Sequence, residues 1–301
     1  MNIMDHFAHA DLSAFTKRNY NSAVNHWIEY LKKPINKIAV SPIKSFEALK
    51  KVDGIKHTSH VYHGYLSAII AYIKYHRIME LNTNENHDKL IAVWKQMMFE
   101  NDEPMREHYK ENKPTEKQEP QALSWEQVTK AREGLTDGIP KLLLSMYSLL
   151  TPERADYFEL EILRGPGQKP TSGNYIDLTN RKLVMTEFKT AKKYERLEQD
   201  IPEELMRQIN LSLKDKPREY LFTNRFKVPF TRTTFSQWAN RIVSEIFGKR
   251  TTLTCIRHAY ISSLDFNKSI RQLEQVSTSM GHSVGTQKTY AWIGKNEVVN
   301  P

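Results

Sequence analysis

The stretch TTLTCIRHAYISSLDF (251–266), followed by SMGHSVGTQKTY (279–290), decides the reading of this chain. It sets Arg257 and His258 inside one apolar, helix-like run, then Gly281-His282, then Tyr290. Arg, His and a late Tyr make a poor hydrophobic core, but they suit phosphoryl transfer. A guanidinium fork binds two phosphate oxygens at once and stays charged at any usable pH. An imidazole can give a hydrogen bond or a proton to the same phosphate, and a phenol oxygen can attack phosphorus.

Composition is compatible with that chemistry. The chain has 301 residues, enough for two domains, and a net charge of +9, which favours a polyanionic partner. Its single cysteine, Cys255, cannot form an internal disulfide and fits a reducing compartment. No apolar run approaches the length of a membrane span, and the start, MNIMDHFAHADLS, does not read as a secretory signal.

Outward from the decisive stretch, the chain divides by pattern. Residues 1–99 read as an all-α bundle. Leu12, Phe15, Val24, Trp27, Ile28 and Leu31 recur at helical spacing, as do Tyr62, Tyr65, Leu66, Ile69, Ile70 and Ile73. Shorter helices are predicted around Ile43, Phe46 and Leu49 and around Leu90, Ile91, Trp94 and Met97. His57, His60 and His63 lie three apart, but no Cys or carboxylate stands at a matching short spacing, so no metal site is expected. Residues 100–121, with three prolines, many charges and almost no large apolar side chain, read as an interdomain linker.

Residues 122–301 then form the second domain. Ser124 and Gln127 make a capping box, and PKLLLSMYSLL (140–150) is the most apolar helix in the chain. That helix runs into Thr151-Pro152-Glu153-Arg154-Ala155-Asp156-Tyr157, which puts Arg154 where it can project into a cleft. A surface salt bridge from Arg154 to Glu153, Asp156 or Glu159 is the alternative. The period changes over 174–201, which predicts a small three-stranded antiparallel sheet: Tyr175–Thr179, Lys182–Lys189 and Leu197–Ile201. The turn after its second strand is rich in lysine. Two further helices occupy 203–247, and charge alone makes Lys227, Arg232 and Arg241, with Lys17 and Arg18 in the first domain, candidate DNA contacts.

These residues in this order resemble the tyrosine recombinase (integrase) family. That family carries an Arg in an (H/K)-x-x-R-H-like run, then Leu/Met-Gly-His, then a nucleophilic Tyr. The matches here are Arg257-His258, Met280-Gly281-His282 and Tyr290. Thr254 stands where the family usually has His or Lys, and Tyr290 follows His282 by eight residues, one fewer than is commonest. The resemblance implies Arg154 as the first catalytic arginine, with Asp156 orienting it in place of the usual Glu. It makes Lys189, or Lys192 as the other turn lysine, the catalytic lysine. Thr16 and Tyr20 match a Thr-x-x-x-Tyr pair in the family's helical core-binding domain.

The fold so implied is mainly α: a helical DNA-binding domain, then a mixed α+β catalytic domain. The activity implied is cleavage and rejoining of double-stranded DNA through a 3′-phosphotyrosine, without metal or other cofactor. His282 is expected to donate to the phosphate, with His258 and Thr254 as auxiliaries. The family also implies a homotetramer on DNA, held by a C-terminal segment (here Ala291–Pro301), and an intracellular place at DNA, in a nucleus or virus factory if the host is eukaryotic. The Arg-Ala-Asp-Tyr and eight-residue variants resemble recombinases of DNA viruses and mobile elements. A type IB topoisomerase and a non-catalytic DNA-binding protein are the competing readings.

Overall fold

The protein is described here from a computed structural model, which covers residues 5–52, 57–76, 84–111, 113–264 and 270–290. The chain divides into two compact units, Met1–Glu111 and Asn112–Pro301. Among the described residues no helix is long and apolar enough to cross a membrane.

The first unit is helical. Its elements are α1 (Ala14–Leu31), α2 (Ile35–Ala39), α3 (Pro42–Lys50), α4 (Ser59–Tyr75), α5 (Asn84–Asn101) and α6 (Glu103–Lys110). The Ser13 hydroxyl caps α1 by accepting from Thr16 N at 3.1 Å, and an αL residue, Lys32, ends it. Trp27 of α1 and Trp94 of α5 meet edge to face at 5.8 Å in the core. Each indole spends its one donor on a backbone carbonyl: Trp27 on Tyr65, at 3.1 Å, and Trp94 on Ala39, at 2.9 Å. Two large aromatics can be fully buried here because neither leaves an unmet N–H.

The sequence reading differs from this at Phe15 and Ile43 and in the linker. Phe15 and Ile43 stand exposed, since each lies off its helix's buried face. The three histidines do not converge: His63 bonds Asp102 at 2.7 Å, His57 packs edge-on to Tyr62 and Tyr65, and His60 is exposed. The segment read as a linker carries α6. That helix buries no side chain, which is why composition pointed to a linker. Its support is local: Pro104 sits in the first turn, Lys110 pairs with Glu107 at 2.6 Å, and Arg106 lies over the Phe99 ring while donating to the Phe99 carbonyl.

The second unit is mixed. In chain order it holds α7 (Trp125–Gly134), α8 (Ile139–Ser148), a 3₁₀ turn (Ala155–Glu159), β1 (Glu161–Leu163), β2 (Asn174–Asp177), β3 (Lys182–Met185), α9 (Ala191–Tyr194) and β4 (Leu197–Asp200). Then come α10 (Glu203–Asp215), α11 (Arg232–Phe247), α12 (Leu253–Ser262), α13 (Ile270–Ser279) and α14 (Val284–Tyr290). The capping box on α7 forms as the sequence predicts, Gln127 N donating to the Ser124 hydroxyl at 3.1 Å and Ser124 N to the Gln127 side chain at 2.9 Å. The buried α8 lies at the centre of this unit's core.

The sheet corrects the expectation of three antiparallel strands. It has four strands in the order β1-β2-β3-β4, and β1 pairs parallel with β2, Ile162 opposite Ile176. β1 is three residues long and carries no alternation, because all three side chains are buried. The second strand of the expected sheet stops at Met185, so Lys189 lies in a turn and not on the strand.

Asn174 at the start of β2 fixes that turn. Its side-chain oxygen accepts from Thr186 N and Glu187 N, at 3.1 and 2.9 Å, and its amide donates to the Glu187 carbonyl at 2.8 Å. Replacing this buried amide leaves the N–H and carbonyl of Glu187 unmet, while Thr186 N keeps the Gly173 carbonyl at 2.9 Å. Asn174→Ala is therefore expected to lower unfolding free energy by about 2–4 kcal/mol. Chemical denaturation checks this, and a loss under ~1 kcal/mol would show that water replaces the side chain.

Candidate active site

The site is built on the 150–157 turn, the β3–α9 turn, and helices α12 and α14. Arg257, in the middle of α12, is the deepest charged group, 1% exposed. Its Nη1 donates to the Pro152 carbonyl at 2.6 Å and lies 3.7 Å from Oε2 of Glu153, itself 1% exposed. Its Nε and Nη2 are buried and have no protein partner. The guanidinium carbon lies 5.6 Å from the centre of the Tyr290 ring. Burial holds the guanidinium below the usual arginine range, with Glu153 opposing that shift.

Two imidazoles frame Tyr290. The His258 ring is 4.8 Å from it, and His258 Nδ1 donates to the Tyr290 carbonyl at 2.8 Å. The His282 ring stacks parallel to it at 5.9 Å. His282 Nδ1 donates to the Ser283 carbonyl at 3.2 Å, while Nε2 is buried without a partner. Burial brings both rings down to about 4; for His282 the neighbouring Arg257 acts in the same direction. At neutral pH both are uncharged, and with Nδ1 as the donor His282 carries its lone pair on Nε2.

Arg154 is half-buried, and among the described residues its side chain makes no ion pair. Its carbonyl accepts from the Tyr147 hydroxyl at 2.7 Å, which ties the 150–157 turn to α8. Its charge is felt by Glu153, Asp156, Arg257 and His282, so it belongs to the same electrostatic cluster. Asp156 is buried and pairs with Arg232, at 2.8 Å, not with Arg154. That contact lies off the hydrogen-bond axis. Burial raises the Asp156 carboxyl, and Arg232, Arg154, Arg257 and Lys189 pull it back down.

Lys189 reaches this cluster through a close backbone approach. Gly281 has φ +64°, and a Cβ there would lie 3.0 Å from Thr190 Oγ1 and 3.4 Å from the Phe188 ring. The Thr190 hydroxyl donates to the Gly281 carbonyl at 2.6 Å. The glycine thus seats the Phe188–Thr190 turn against the start of α14, with Lys189 exposed between them.

The remaining candidates scatter. Thr254 is exposed one turn ahead of Arg257. The Lys192 side chain and residues 291–301 lie outside the described residues. Lys17 donates to the Ala8 carbonyl at 2.8 Å, and Arg18, Lys227 and Arg241 are exposed. Arg232 joins the site through Asp156. Sequence reasoning missed Glu153, Asn174 and Thr190. Glu153 had a signal, a carboxylate directly before the first arginine; the other two act through backbone contacts that no motif encodes.

No family model matches the chain, and no curated protein matches it by sequence. Solved structures do. A lambda integrase (75–356) dimer bound to a COC′ core site aligns over 98% of this chain and 94% of its own, with a TM-score of 0.56 and 14% identity. The Tn1549 transposon integrase, in complex with a circular intermediate DNA, aligns over 96% and 92%, with a TM-score of 0.57 and 12% identity.

The chain has the tyrosine recombinase fold.

Within this fold the Gly281 contact gives a direct test. Gly281→Ala places a Cβ at positive φ and against Thr190, which costs about 1–3 kcal/mol and pushes the lysine turn away. We expect a lower unfolding midpoint together with a loss of any Lys189-dependent activity. A variant as stable as wild type would show that the turn yields freely.

Proposed function

We propose that this chain is a site-specific DNA recombinase, the integrase type of DNA strand transferase, working through a 3′-phosphotyrosine. The observation that carries this reading is the Arg257 guanidinium: buried, anchored at Nη1, with Nε and Nη2 unpartnered beside Tyr290. Two buried donors on one planar cation match two non-bridging oxygens of a phosphodiester.

In the step proposed, the Tyr290 hydroxyl oxygen attacks phosphorus and its proton passes to His282 Nε2. The phosphorus–5′-oxygen bond breaks, and Lys189 Nζ delivers a proton to the leaving 5′-oxygen. His282, now an imidazolium, has donors at both nitrogens and holds one phosphate oxygen. Arg257 and Arg154 balance the charge that builds on the non-bridging oxygens. Attack by an incoming 5′-hydroxyl on the phosphotyrosine reverses every transfer, so no outside energy source is needed. His258 keeps α14 in place through the Tyr290 carbonyl. Lys17, Arg18, Lys227 and Arg241 are proposed backbone contacts to duplex DNA, of the kind that sets affinity and not sequence preference. The DNA-bound integrases that share the fold support this reading, and an origin in a virus or mobile element accords with it.

The test uses nicked suicide duplexes of randomised sequence, which trap a covalent intermediate. Tyr290→Phe removes one oxygen and no charge, so it should abolish the adduct and leave DNA binding nearly intact. Arg257→Lys keeps the charge but loses the fork, and should slow adduct formation about a hundredfold or more. An adduct in the Phe variant, or wild-type rates in the Lys variant, would overturn the assignment. A wild-type chain that binds DNA but never forms an adduct would be a non-catalytic binder.

We further propose a tetramer on DNA held by residues 292–301, whose Trp292, Ile293, Val298 and Val299 supply apolar side chains for docking on a neighbour. Deleting 292–301 should preserve monomer binding and abolish strand exchange, as read by sedimentation with a recombined substrate. One protein per duplex with relaxation of supercoils would instead make the chain a type IB topoisomerase.

A further inference from the structure

Glu153 has no part in the steps above, yet it is as deeply buried as the arginine it faces. Its Oε2 lies 3.7 Å from Arg257 Nη1, beyond hydrogen-bond reach, and its Oε1 is buried with no partner. A carboxylate held for structure alone would be expected to accept hydrogen bonds at both oxygens, because each unmet lone pair in a buried site is costly. Its apolar-faced neighbours are Tyr147 and Tyr157, two buried phenols packed ring to ring at 5.0 Å. So Arg257 has one weak anionic partner behind it and two unpartnered nitrogens.

We propose that Glu153 is the resident counter-ion of Arg257: its carboxylate balances the guanidinium while the site is empty and takes up a proton when a DNA phosphodiester occupies Nε and Nη2. This rests on the recombinase reading, which supplies the phosphodiester, and adds to it a proton linked to phosphate binding. The balance is simple. The phosphodiester arrives as an anion, one proton from solvent adds to Glu153, and the net charge around Arg257 is unchanged. Glu153 is a positioning residue, since it acts only through Arg257.

The charges around it set the direction. Burial raises the Glu153 carboxyl to about 7; Arg257 opposes this most strongly and Arg154 less, while Asp156 adds to it. A second anion at Arg257 cancels part of that opposition, so the carboxyl rises further when the site is filled. A group whose affinity for protons rises on binding makes binding tighter at low pH; the advantage is full below its value in the unbound site and is lost as pH climbs from there through its raised value in the bound site. Anion affinity should therefore fall as pH rises above about 7. The other groups facing the cluster are distinguishable. His258 and His282 titrate near 4 in the empty site. Asp156 keeps Arg232 as its own partner, Lys189 acts through Asp156, and the Tyr290 ring faces Arg257 at 5.6 Å.

Sulfate is the probe, being tetrahedral, dianionic and free of any titration near neutrality. Binding is measured by calorimetry between pH 6 and 8.5 in two buffers of different ionisation heat, counting the portion lost in Arg257→Gln. In the wild type we expect proton uptake on binding and an affinity that drops severalfold from pH 6 to 8.5, by at most about tenfold per pH unit for one proton. Glu153→Gln mimics the protonated state, so it should bind sulfate as well as wild type at pH 6 and more tightly at pH 8.5, with the slope flattened. His282→Asn should keep the slope above pH 7. A flat wild-type profile overturns the proposal, as does a Glu153→Gln variant that binds more weakly at every pH, the pattern of a purely structural carboxylate. If Glu153→Gln fails to fold, the wild-type slope and the buffer-dependent heat decide alone. The sulfate measurement reads Glu153 whether or not Tyr290 cleaves DNA. Intact linkage without an adduct would thus sink the recombinase reading and leave the counter-ion standing.

Discussion

A guanidinium with almost no exposure to water governs the second unit. Burying Arg257 costs several kcal/mol unless its donors are met and its charge balanced. The fold meets one side only, through the Pro152 carbonyl and the nearby Glu153 carboxylate. The remaining donors are aimed where no protein atom answers them. That arrangement leaves part of the cost of burial unmet by the protein, and in the function proposed an anion brought in from outside meets it. A preorganised cation in a dry setting acts far more strongly than the same cation in water.

Around that cation the protein uses backbone contacts to bring distant segments together. Gly281 lets the lysine turn approach α14 closely, and Thr190 closes the contact with a hydrogen bond. Asn174 holds the other end of the same turn through three bonds to backbone groups. His258 bonds the carbonyl of Tyr290 and so fixes the end of α14 to α12. None of these contacts involves a proposed reacting atom. Each removes freedom from a group that would otherwise be mobile, and small errors in such positions are expensive in rate.

Asp156 illustrates how the two levels interact. By sequence it stands close to Arg154 and reads as that residue's orienting partner. In the folded chain the 3₁₀ turn that carries it lies against α11, and the carboxylate meets Arg232 at the start of that helix. Arg232, assigned from charge alone to a DNA groove, is instead engaged at the site's edge.

The sequence by itself determined the helical character of the first unit, the capped start of α7, the change to strands after residue 173, and the order Arg154, Lys189, Arg257, His282, Tyr290. Those features are local: spacing, caps and residue type depend on neighbours within a few positions. Tertiary structure alone decided three others: β1 as a strand, Glu153 as the neighbour of Arg257, and the seat of Lys189 against Gly281. A three-residue buried strand has no alternation to read and exists only through its partner β2. Helix α6 falls between the two: local pairs support it, but it buries no side chain, so composition reads it as a linker. The Glu153–Arg257 and Gly281–Thr190 contacts join residues about ninety to a hundred positions apart; their energy comes from desolvation and close packing, which only the closed fold creates.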